Sequence, residues 1–168
     1  MIRDEEIKRL EMYSESLGLP VVWKQYVPYS KSHGAAVIIE NDVPVRLEMV
    51  TWKRKSKTQI VLDFIHELAH HMSWIYKGRK DSPELLEAMY ATNPNKNQRK
   101  LVYEMEKEDS NYRLLIYREL GIKIEEWKLL LDIAVDIWYY KHWWLTGKQP
   151  SIKQTRKTKR GMKVNYAT

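Results

Sequence analysis

Apolar residues Ile7, Leu10, Tyr13 and Leu17 recur at three- and four-residue steps, one face of a helix over residues 3–17 that Gly18 and Pro20 stop. Residues 21–27 are β-branched and aromatic, 28–34 carry turn formers and 35–39 are apolar again, a pattern of two strands. Asn41 and Asp42 separate the second of these from an alternating stretch over 45–52, with Pro44 near its start, where a missing N–H is tolerated. This third strand is expected at a sheet edge, in an antiparallel hairpin with the second.

Beyond a basic link over 53–57, a wide stripe that includes Val61, Phe64, Ile65, Leu68 and Met72 predicts a buried central helix over 58–76, ended by Gly78. Ser82-Pro83-Glu84 opens a short helix in the cap-then-proline manner, which closes near 93–95. A long acid-rich helix follows over 97–120, and a helix dense in Trp and Tyr runs over 124–145 to Gly147. The sum is an α+β domain over residues 1–146: a small antiparallel sheet, a central helix beneath it, an acid-rich helix and a Trp-rich closing helix. A chain of 168 residues has room for one substantial core and hardly for two.

Charge adds a second part. Residues 147–168 hold Lys148, Lys153, Arg156, Lys157, Lys159, Arg160 and Lys163 and no acid, which leaves 22 basic against 22 acidic residues in the rest of the chain. Such a tail is expected either to meet nucleic acid, an acidic partner or an anionic surface by sequence-independent attraction, or to be a solvated, disordered terminus. No stretch nears the roughly 20 apolar residues that span a bilayer. The charged opening MIRDEEIKRL is unlike a signal peptide, so a cytoplasmic protein without membrane contact is expected. The chain has no cysteine, so disulfides and thiolate metal sites are excluded, and a transition metal would need His, Asp or Glu.

The central helix carries His66-Glu67-Leu68-Ala69-His70. Histidines four residues apart project from one face, where two imidazoles can close on a tetrahedral zinc ion. Glu67, about 100° further round, suits a general base acting on water at that ion's open side. By chance the string arises in on the order of one chain in a few hundred, but here it sits in a helix with an apolar back. A hairpin precedes it, whose last strand is expected to bind an extended substrate by strand addition.

A third ligand is sought in Tyr103-Glu104-Met105-Glu106-Lys107-Glu108-Asp109. If Leu101, Met105, Tyr112, Leu115 and Ile116 define the apolar face, Glu108 lies inside it, Glu104 at its edge, and Glu106 points away. A carboxylate on a buried face needs a partner or a metal, so Glu108 comes first and Glu104 second. The plain alternative is a solvated acidic face balanced by Lys100, Lys107 and Arg113. His71 is expected behind the ligands or at the surface. His142 is placed for packing among aromatics, or for closing over a metal and donating to an oxyanion. Tyr103 and Tyr112 are further oxyanion donors by position alone.

The run Ile65-His66-Glu67-Leu68-Ala69-His70-His71, after a hairpin and before a helix with Glu-x-Glu, resembles the gluzincin metallopeptidases, in particular the small ImmA/IrrE-type and phage-borne proteins. The likeness covers about residues 35–121. It implies a zincin-like fold, Zn2+ held by His66, His70 and a downstream glutamate, and Glu67 as the catalytic residue. The group's Glu-x-Glu-Ala-Asp/Asn pattern is met only in part: one register makes Glu104 the ligand with Glu108 behind it, the other Glu106. The function expected is zinc-dependent hydrolysis of peptide bonds in a specific protein partner. The rival is a catalytically silent zincin-fold protein, associated with nucleic acid or part of a virion.

Overall fold

The computed structural model describes residues 4–25, 34–51 and 55–166. Arg3, residues 26–33 of the first strand's end and the following turn, Trp52 and the start of the basic link, and the last two residues of the tail lie outside them. Among the described residues are six helices and a three-stranded sheet, an α+β fold. The chain forms two compact units, one from Met1–Arg79 with Asn111–Lys123, the other from Lys80–Ser110 with Ile124–Thr168.

The first unit begins with helix α1 (Glu5–Ser16), capped by the Asp4 carboxylate, which accepts the Glu6 N–H. Strands β1 (Val21–Gln25), β2 (Ala35–Glu40) and β3 (Val43–Thr51) form a sheet in the order β1-β3-β2. β3 runs antiparallel to β2 but parallel to β1, so the sheet is mixed rather than wholly antiparallel, and β3 is its centre rather than its edge. Pro44 is tolerated there for a local reason. The β1 ladder engages only Leu47 to Thr51, and toward β2 Pro44 lies opposite Ile39 beside a register shift. The β2–β3 hairpin turns through Asn41 and Asp42, both left-handed at φ 51° and 62°, as a two-residue type I′ turn requires.

Helix α2 (Lys57–Tyr76) starts at Ser56, whose hydroxyl accepts the Gln59 N–H, and packs on β2 and β3. Leu10, Leu19, Leu47, Met49, Phe64, Ile65 and Leu68 are fully buried in this layer. The buried Lys55 ammonium ties the hairpin to α2, donating to the carbonyls of Gly34 and Val50 and pairing with Asp63 at 2.6 Å. A charge is bearable inside only with such partners. The end of helix α4 (Lys96–Glu119) closes the unit. Ile116 is fully buried, Tyr13 donates to Glu119, and Arg9 donates to the Leu120 carbonyl.

The second unit contains α3 (Pro83–Tyr90), the beginning of α4, α5 (Glu126–Thr146) and α6 (Ile152–Tyr166). Ser82 caps α3 ahead of Pro83, and Gly147, at φ 74°, ends α5. On the Trp-rich α5, Trp144 stacks against Tyr103 of α4 with centroids 5.2 Å apart. The segment read as a basic tail is helix α6, packed on α5. Among the described residues no helix is long and apolar enough to cross a membrane.

Candidate metal centre

Helix α2 is apolar over most of its circumference, and buried Ile65, Leu68 and Ala69 fix its rotation against the sheet. That rotation leaves His66, Glu67 and His70 half-buried. The two imidazoles meet Nε2 to Nε2 at 3.0 Å, with their rings inclined at 75°. Two nitrogens on one tetrahedral zinc ion, at about 2.0–2.1 Å each, stand a little over 3 Å apart, so the spacing is that of a shared ligand pair.

Glu67 faces the sheet. Its Oε2 accepts the backbone N–H of Val37 at 3.1 Å, and Val37 lies on β2, an edge strand. The expectation that the hairpin's last strand offers an edge to a substrate is therefore corrected, because β3 is paired on both sides, and among the described residues β2 is the hairpin's edge strand.

Helix α4 holds the largest departure from the sequence reading. Its buried positions are Val102, Glu106, Asp109, Ser110, Arg113 and Ile116, a stripe at three- and four-residue steps that is polar in four places. Glu106 is only 4% exposed, and its backbone carbonyl accepts the Ser110 hydroxyl at 2.8 Å. Glu108 is exposed rather than buried, and exposed Glu104 pairs with Lys100 at 3.5 Å. The face chosen from Leu101, Met105 and Leu115 was wrong because those residues are peripheral, Leu115 being 44% exposed. Among the described residues, the acids and histidines placed to share one ion are His66, His70 and Glu106, whose ligand atoms lie within 4.8 Å of one another. Compared with protein-family models, curated proteins and solved structures, the chain matches none.

Arg113 is the residue that sequence reasoning missed. It is 1% exposed, and its guanidinium lies against His66, hydrogen-bonded to Nδ1 and 3.4 Å from Nε2. It stands seven residues after Glu106, two helical turns along the same face, and this periodicity was the signal available. Guanidinium only donates, so in this contact His66 Nδ1 is the acceptor.

The other candidates are engaged elsewhere. His71 is buried, stacks on Trp74 and donates from Nε2 to the Leu17 carbonyl at 3.0 Å. Burial pushes its pKa below the ordinary 6.5, outweighing that bond. His142 lies 5.5 Å from the Trp138 ring, Tyr103 is stacked on Trp144, and Tyr112 is stacked on Tyr76.

Proposed function

We propose that this protein is a zinc-dependent metallopeptidase of zincin-like, gluzincin type, acting on a particular protein partner. The reading rests on one observation: His66, His70 and Glu106 converge, with Glu67 beside them on the same helix. Two imidazoles and a carboxylate are a donor set that zinc takes in hydrolytic sites with an open position for water. When bound, zinc would supply Lewis acidity to a scissile carbonyl and bring the pKa of a water molecule to about 7.

The remaining chemistry belongs to the chain. Glu67 removes a proton from water as the oxygen attacks the amide carbon, then returns it to the amide nitrogen as the C–N bond breaks. Water and an amide thus yield a carboxylic acid and an amine. The Val37 N–H on Oε2 orients the carboxylate and leaves Oε1 to hold the proton. Leu68 and Ala69, fully buried behind the motif, keep the imidazoles from turning away.

The purified full chain should take up zinc and cleave an unstructured protein such as casein. Glu67→Gln keeps an acceptor for Val37, so it should retain zinc and melting temperature while losing roughly 10²–10⁴-fold in turnover. A chain that takes up no zinc on titration, or whose cleavage is indifferent to Glu67→Gln, ends this reading.

A zincin-shaped binding protein without turnover is the second reading, and Arg113 favours it. A neutral His66 that accepts from Arg113 at Nδ1 carries its proton on Nε2, the tautomer that cannot ligate through Nε2. In that case Arg113→Gln strengthens zinc binding without producing cleavage.

A further inference from the structure

Helix α6 packs on α5 through one face. Its half-buried positions, Thr155, Thr158, Lys159, Met162 and Tyr166, recur at three- and four-residue steps, and Lys159 among them reaches Asp132 of α5 at 3.7 Å. The rest of the helix is turned outward. There Lys153, Arg156, Lys157 and Arg160 follow one another at i, i+3, i+4 and i+7, so all four project from one exposed strip. With Ile152 they line an open depression of about 620 Å³. Among the described residues none of the four has an acidic partner. Further along, Lys163 lies 5.5 Å from the Trp127 ring, whose other cation, Lys128, lies 5.6 Å away.

This strip does nothing for the fold. Like charges one turn apart destabilise a helix by a few tenths of a kcal/mol per pair, and no acid lies anywhere from Ile137 to the end of the chain to offset them. We propose that the outward face of α6, Lys153, Arg156, Lys157 and Arg160, is a docking surface for the phosphate backbone of double-stranded nucleic acid, bound without regard to base sequence.

The occupant follows from shape and charge. Four cations along about 10 Å of helix, at 1.5 Å per residue, meet the regular anionic rows of a duplex, and the two arginines can each fork onto phosphate oxygens. A membrane surface would require apolar side chains beside the cations to enter the lipid. On α6 the packed face holds Met162 and Tyr166, and the outward one exposes only Ile152 and Val164 among its large apolar residues, one beyond each end of the cationic strip rather than a row beside it. Stacking on unpaired bases would need aromatic rings on the strip, and it has none.

Fluorescence anisotropy with a labelled 20-base-pair duplex of mixed sequence, as DNA and as RNA, tests this on the full chain. Binding should be insensitive to sequence, with log affinity falling against log salt at a slope of about −3 to −4, as four released counterions require. Arg156→Glu with Arg160→Glu should keep the circular-dichroism melting curve, weaken binding at least tenfold and flatten the slope, by about 2 for two lost phosphate contacts. Binding to either duplex alone supports the proposal and names the source. Absence of binding to both at 50 mM salt, unchanged affinity in the double variant, or equal binding to anionic vesicles or polyglutamate overturns it. Glu67→Gln should bind like the native chain, so the outcome is separate from that of the peptidase reading.

Discussion

Glu106 and Glu108 are the same residue type two positions apart, and helix α4 gives them opposite environments. The first is 4% exposed and within reach of His66 and His70, whereas the second faces water. Taking a carboxylate out of water carries a desolvation cost, which Glu106 bears and Glu108, facing water, is spared. Glu106→Gln should therefore weaken zinc binding by more than about tenfold, since loss of a merely supporting residue already costs 10–100-fold. Glu108→Gln and Glu104→Gln should leave it unchanged. Competition against a zinc chelator measures all three, and a loss at Glu108 with none at Glu106 would refute the assignment.

At the scale of elements, the turn at Asn41 and Asp42 holds two non-glycine residues in the left-handed region. Asn41→Val puts a β-branched side chain there and should destabilise the chain by about 1–2 kcal/mol, read as a lower urea midpoint. An unchanged midpoint would mean that the hairpin turns in another way. The same turn was legible in the sequence, because Asn-Asp between two apolar runs has a local meaning. So were several helix limits, marked by Gly18, Gly78, Ser82 and Gly147. What escaped was anything set by distant partners. Pro44 argued for an edge strand, but β1 pairs only with the far half of β3 and never meets it. The buried side of α4 escaped because its stripe includes Glu106, Asp109, Ser110 and Arg113, and hydrophobic periodicity looks for the reverse. Helix α6 escaped because Met162 and Tyr166 are too few to announce a packed face among so many cations.

For the whole molecule, the order of the chain matters. The first unit is completed only by Asn111–Lys123, after the chain has built most of α4 within the second. Its stability should respond to acid through His71, buried between the end of α1 and Trp74. A histidine with a folded pKa below 6.5 takes up its proton first in the unfolded chain. Stability from this residue is thus complete above about pH 6.5 and is lost as the pH falls below it. Glu48, held below its ordinary 4.5 by Lys24, acts only further down. Urea unfolding between pH 7.5 and 5 should show native stability declining and His71→Gln flatter, and parallel curves would dismiss the coupling. Apolar residues at Glu106, Asp109 and Arg113 would pack with less desolvation and give a hardier protein. The native sequence keeps the less durable choice, a polar stripe where an apolar one would hold the fold more firmly.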